Sequence, residues 1–234
     1  MDNKLDILIF AAHPDDAEIG MGGTIAKQIA LGYKVGICDL TQAEFSSNGT
    51  PESRMIEAEM ASSVLGIQYR SNLYLPDRGI SSTNQMQVER MVEEIRRTKP
   101  EVVFAPFIKD RHPDHEACGA MAKEAVFNAK LRKVLPDSIA WQVKNLYYYF
   151  INDINKSDFI VDISEFQATK QAALMAYKSQ FTTPASDNEF VSTPLNHDYI
   201  ERVTLRDRLL GQSQQLKFAE GFIAAQPIQV ERFV

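Results

Sequence analysis

The chain has 234 residues, 44% hydrophobic and 24% charged, with a formal net charge of -6. That length fits one larger core or a core with a small appendage. The negative balance, with no Lys/Arg cluster, argues against nucleic-acid binding, no apolar run approaches the roughly 18 residues of a membrane span, and two cysteines cannot build a disulfide framework.

The polar residues 1–4 have no signal-peptide architecture, so a cytoplasmic location is expected. Residues 5–12 (LDILIFAA) are a short continuous apolar run, which predicts a strand buried on both faces. A helix is expected over 23–31, closed by Gly32, and a second buried strand over 34–40. Residues 51–65 predict a helix with Thr50 as N-cap, Pro51 in its first position and Gly66 past its end. A short third strand is expected over 72–75, stopped by Pro76. Val88, Met91, Val92 and Ile95 mark a helix over 87–98 that Pro100 ends, and a fourth strand follows over 101–107. Another helix is expected over about 114–129.

Strands alternating with helices give an α/β, Rossmann-like, doubly wound and mostly parallel sheet with helices on both faces. We expect one domain over 1–234, with a core over 1–130 and a less regular C-terminal part over 131–234. In that second part, strands are expected over 145–151 and 159–163. A helix over 165–180 capped by Ser164, and a last helix over 199–217, should follow. The polar stretch 182–198 reads as a functional flap.

Three of the four histidines fall in two related motifs, His13-Pro14-Asp15-Asp16 after the first strand and His112-Pro113-Asp114-His115 after the fourth. With strand order 3-2-1-4-5, strands one and four are neighbours, and the crevice at their carboxyl ends is where such folds bind ligands. Two imidazoles and one carboxylate suit a catalytic zinc with an open position, and His13, Asp16 and His115 are the best set. Fe(II) or another divalent metal suits the same ligands. Asp15 then fits as general base. His112 fits as the group that stabilises the oxyanion or protonates the leaving amine, with Asp114 orienting its ring.

Other residues have competing readings. Gly20-Met21-Gly22-Gly23 with Asp39 mimics a dinucleotide fingerprint, but the HPDD turn occupies the place of the first glycine. A nucleotide-binding Rossmann protein without hydrolase activity is therefore the rival from another class. Cys118, three residues after His115, reads as core packing. Arg54 and Asp77 suit sugar hydroxyls at the rim, Arg78 and Arg111 suit an anionic group, and His197 is the flap's candidate substrate contact.

These residues resemble the LmbE/PIG-L family of zinc N-deacetylases. The likeness rests on A-H-P-D-D (12–16) and H-P-D-H (112–115). It continues through ICDLT (37–41), SSNGT (46–50), LPDRG (75–79), VFAP (103–106), DRHPDH (110–115), VDIS (161–164), SQF (179–181) and AEGF (219–222), which are similar to the bacillithiol-pathway branch. The resemblance implies zinc on His13, Asp16 and His115, with Asp15 as base, His112 as oxyanion or acid partner and Asp114 behind it. It implies that Arg54 and Asp77 hold the sugar ring. The implied substrate is N-acetylglucosaminyl malate, with free N-acetylglucosamine or chito-oligomers as the alternative. A homo-oligomer, with a hexamer as one form, is implied on the same ground. Asp110 stands where the mycothiol branch has a Tyr, so that residue's role does not carry over.

Overall fold

The computed structural model describes residues 4–154, 156–183 and 190–229. Among these the strands are β1 (Ile7–Ala11), β2 (Val35–Asp39), β3 (Tyr69–Asn72), β4 (Val102–Pro106), β5 (Asn145–Tyr149), β6 (Phe159–Asp162) and β7 (Ala219–Ala224). They form one sheet in the order β3-β2-β1-β4-β5-β7-β6. The pairs from β3 to β5 are parallel, and β7 runs antiparallel to β5 and β6. The helices are α1 (Asp16–Ala30), α2 (Pro51–Leu65), α3 (Gln85–Thr98), α4 (Pro113–Ala129), α5 (Gln167–Ala176), the single turn α6 (Lys178–Phe181) and α7 (Tyr199–Gln212). None of them is long and apolar enough to cross a membrane.

The period of two along β1 divides the core. Ile7 and Ile9 face a cluster with Ile25, Ala58, Leu174 and Tyr177, which lie on or beside α1, α2 and α5. Leu8 and Phe10 face the other cluster, with Met91, Cys118 and Met121 from α3 and α4. Full burial of each such aliphatic side chain is worth about 1.5–3 kcal/mol. Both faces of the sheet are covered, as a parallel sheet requires. Cys118 belongs to this core, as expected.

Several boundaries differ from the sequence reading. The third strand is Tyr69–Asn72, before the apolar residues Leu73 and Leu75, because its pairing with β2 sets its register. The first helix begins at Asp16, well before the expected start, but Met21 breaks it with φ -149° and ψ 24°. The amides freed by that kink are bonded by a carboxylate: Gly23 N–H and Thr24 N–H donate to Glu220 of β7 at 3.0 and 2.7 Å. Lys170, fully buried on α5, balances that charge at 2.7 Å from both Glu220 and Asp207. Ser164 does not cap a helix; its hydroxyl donates to Asp162 at 2.6 Å, and α5 starts at Gln167. The last helix stops at Gln212, and the sequence reading missed β7 entirely. The C-terminal part thus adds one antiparallel strand to the elements expected there.

Gly20 shows why glycines follow the first motif. A Cβ there would lie 2.1 Å from Tyr149 Cδ2 and 3.1 Å from the Phe150 carbonyl. The Tyr149 ring cannot yield, because it is fully buried and its hydroxyl donates to the Phe10 carbonyl at 2.8 Å. Overpacking of this kind costs about 1–3 kcal/mol. Gly20→Ala should lose that much in urea denaturation, and unchanged stability would show that α1 is free to move away from β5.

Candidate metal centre and cleft

The adjacent strands β1 and β4 deliver the two motifs to one crevice. After β1, His13 N–H donates to Asp16 Oδ2 at 2.9 Å and closes the HPDD turn. After β4, His112 is the N-cap of α4, with Pro113 at the first position and its own ring Nδ1 accepting from Asp114 N–H at 3.2 Å. Capping thus fixes the imidazole at the helix start, and His115 sits one turn on.

The ring nitrogens define the centre. His115 Nε2 lies 3.1 Å from Asp16 Oδ1, and His13 Nδ1 lies 3.4 Å from Asp16 Oδ2. The opposite nitrogens are backed by other carboxylates. His115 Nδ1 meets Asp110 Oδ1 at 2.9 Å, while His13 Nε2 lies 3.3 Å from Asp77 and 3.5 Å from Asp114. An imidazole backed by a carboxylate in this way is the usual support of a metal-binding histidine. The residues therefore fit a divalent cation between His13, Asp16 and His115. The groupings whose ligand atoms all lie within 4.8 Å of one another are His13 with His112 and His115, and His13 with Asp77 and Asp114; Asp16 faces two members of the first.

Electrostatics separate the neighbouring carboxylates Asp15 and Asp16. Burial pushes Asp16 up, but His115 and His13 outweigh it and hold the carboxyl well below its usual range. Burial likewise lifts Asp15, with help from Asp16, to about 7 against the opposing charge of Arg54. Burial pulls the His115 imidazole down, yet Asp16 and Asp110 raise it to about 9. His112 moves the other way, lowered by burial and then by the charges of His115 and His13.

Asp15 has φ 122°, a region that favours glycine and costs about 1–3 kcal/mol for other residues. Arg54 holds it there, donating to Asp15 Oδ2 at 3.0 Å and to the Pro14 carbonyl. The guanidinium is 2% exposed, and its Nε and Nη1 find no protein partner among the described residues. The local sequence puts it there. Thr50 caps α2 through Ser53 N–H, with Pro51 in the first turn, so Arg54 faces inward despite the helix dipole.

These residues line a cleft of about 470 Å³, a size that suits a small ligand. His13, Asp15, Asp16, Arg54, Asp77, His112 and His115 all border it, and so do Arg78 and Arg111. The expected flap contributes Thr193, Pro194 and Leu195, while residues 184–189 of it lie outside the described residues. Asn48 ties the flap down, its side-chain amide bonding both Val191 N–H and Val191 O at 2.8 Å. His197 is exposed, outside the cleft lining, and bonded to Ser192 Oγ at 2.6 Å. Asp114 meets His112 through its backbone; its carboxylate accepts from Arg78 N–H at 2.8 Å and Arg78 Nη1 at 3.1 Å.

Sequence reasoning missed Asn152 and Arg70, and it noted Asp110 only within the DRHPDH run and as the place of the mycothiol branch's Tyr, without its contact to His115. Arg70 clamps Asp39 through two bonds, 2.7 and 3.0 Å, and reaches Glu18 at 2.6 Å. Asp39, the supposed ribose ligand, is thereby already occupied.

The pairing of Arg54 with Asp15 generates a prediction. A guanidinium beside a carboxylate favours the ionised form. In Arg54→Gln the Asp15 pKa should rise, and the acid limb of kcat/KM should move up by about 1 pH unit or more. An acid limb that stays put would belong to a group other than Asp15.

The PIG-L model, described as GlcNAc-PI de-N-acetylase, matches residues 8–126. The diacetylchitobiose deacetylase of Thermococcus kodakarensis is 31% identical over 194 residues, 75% of this chain and 70% of that protein. The probable N-acetyl-alpha-D-glucosaminyl L-malate deacetylase 2 of Bacillus subtilis is 27% identical over 189 residues, 76% of this chain and 84% of that one. The crystal structure of a conserved protein of Thermus thermophilus superposes with a TM-score of 0.88 at 38% identity, covering 98% of this chain and 99% of that one. A motif-bearing match over residues 8–126, which contain both His-Pro-Asp turns, together with these relatives, places the chain in the PIG-L family of N-deacetylases.

Proposed function

We propose that the chain is a zinc-dependent hydrolase that removes the N-acetyl group of N-acetylglucosaminyl malate, releasing acetate and the free amine. The observation that carries the chemistry is the convergence of His13 Nδ1 and His115 Nε2 on the two oxygens of Asp16, with Asp15 beside them. Zinc held by those three residues supplies a Lewis acid for the acetamide and an activated water.

The chain's own groups do the proton work. Asp15, whose carboxyl burial raises above its usual range, is placed to accept a proton from the attacking water. The leaving nitrogen needs that same proton once the C–N bond breaks. His112 keeps Nδ1 as an acceptor for Asp114 N–H, which leaves Nε2–H as the donor toward the cleft. Its lowered pKa favours the neutral ring, a hydrogen-bond donor to the developing oxyanion rather than a strong acid. Arg54 borders the cleft beside Asp15, which supports its placement against the sugar. Asp77, held by Phe45 N–H at 2.9 Å and beside His13, combines that task with steadying the ring.

Asp15→Asn should retain zinc and lose about 10²–10⁴-fold in turnover, the usual share of a general base. Metal analysis beside a deacetylation assay reads both quantities. Loss of zinc from this variant would instead make Asp15 a ligand.

The substrate reading rests on Arg111. It is exposed at the cleft, and among the described residues no carboxylate pairs with it. Its neighbours Asp110 and Asp114 are committed to His115 and Arg78. A free guanidinium on a net-negative protein suits a carboxylate-bearing aglycone through two parallel hydrogen bonds. The similarity to the chitobiose enzyme favours the second reading, a neutral chito-oligomer. Arg111→Ala separates the two. KM for N-acetylglucosaminyl malate should rise more than KM for N-acetylglucosamine or diacetylchitobiose, because the lost contact is remote from the scissile amide. Equal changes on all three substrates would remove the basis for the malate reading.

A further inference from the structure

We propose that Asn152 is a positioning residue for the metal ligand His115 and acts through Asp110. The inference rests on the zinc reading above. Asn152 lies beyond the carboxyl end of β5, a third strand that neither histidine motif involves. Its backbone N–H donates to Asp110 Oδ2 at 3.2 Å, and its side-chain Nδ2 donates to Asp110 Oδ1 at 2.8 Å. Asp110 Oδ1 also accepts His112 N–H at 2.8 Å and faces His115 Nδ1 at 2.9 Å. The carboxylate is gripped from both edges and cannot rotate away from the imidazole.

The orientation of the Asn152 amide matters as much as its reach. Nδ2 lies 3.4 Å from His115 Nδ1. Tyr199, at the start of α7, shares its hydroxyl proton between Asn152 Oδ1 at 3.3 Å and the Ile151 carbonyl at 3.4 Å, and the first contact favours Nδ2 on the His115 side. An NH2 group cannot accept the His115 Nδ1 proton. That proton has one acceptor, Asp110, which commits Nδ1 to hydrogen bonding and leaves Nε2 toward Asp16. A flipped amide would offer a competing oxygen and loosen the ring.

The test uses the full-length protein with zinc, read by competition with a chromophoric chelator and by 15N NMR of the histidine side chains. In the wild type, zinc should bind, and the His115 Nδ1 proton should exchange slowly with water. Asn152→Ala should weaken zinc affinity by about 10–100-fold, the usual effect of losing such support. The Nδ1 proton should exchange faster. Tyr199→Phe leaves Asn152 in place but releases its amide, and should speed the same proton's exchange, so it carries the test if Asn152→Ala does not fold. Wild-type zinc affinity together with unchanged exchange in a folded variant would overturn the positioning role alone. A wild-type protein that takes up no zinc would overturn the zinc reading and this inference with it.

Discussion

Two imidazoles that arrive from different strands meet over a single carboxylate. Asp16 faces His13 with one oxygen and His115 with the other, and most of the surrounding structure serves that meeting. The parallel pairing of β1 with β4 sets the two turns side by side. The far nitrogen of each ring is engaged by a second carboxylate, Asp77 and Asp114 behind His13, Asp110 behind His115. A ring with one nitrogen committed has only the other to offer, so the outer carboxylates decide which atoms face the centre.

Packing so many acids together gives each a different electrostatic assignment. Asp15 and Asp16 are adjacent in sequence and both buried, yet their carboxyl groups are driven in opposite directions. The difference lies in their partners. Asp16 touches two imidazoles, whereas Asp15 has only Arg54, whose guanidinium also holds the strained turn through the Pro14 carbonyl. One group is thereby suited to stay ionised beside a cation and the other to take up and release a proton near neutral pH. Environments that push two carboxyls apart are what acid–base chemistry on one site needs.

The legible part of this protein was the part written in local pattern. The apolar runs of β1, β2 and β4, the cap and stop of α2, and the two His-Pro-Asp turns all follow from neighbours in sequence, and topology then brings the turns together. What stayed hidden depends on partners far along the chain. β3 reads Tyr-Arg-Ser-Asn and has no apolar run, because Arg70 points to a buried ion-pair network instead of solvent. β7 carries Glu220 in its interior, a residue that argues against a buried strand until Lys170 and the broken turn of α1 are known. Asp110 and Asn152 are 42 residues apart; Asp110 sits in the DRHPDH run, but Asn152 has no motif to announce it. His197, singled out for its place in the expected flap, is exposed and outside the cleft lining.

The account stands on which nitrogen of His13 would face a metal, because carboxylates flank both, Asp16 at Nδ1 and Asp77 with Asp114 at Nε2. Anomalous diffraction from crystals grown with zinc, collected on both sides of the zinc edge, reads this directly. The account predicts one strong peak between His13 Nδ1, Asp16 and His115 Nε2, with Asp77 and Asp110 outside coordination distance. A peak on the Nε2 side of His13, among Asp77 and Asp114, would contradict it, since Asp77 would then be a ligand and Asp16 would not.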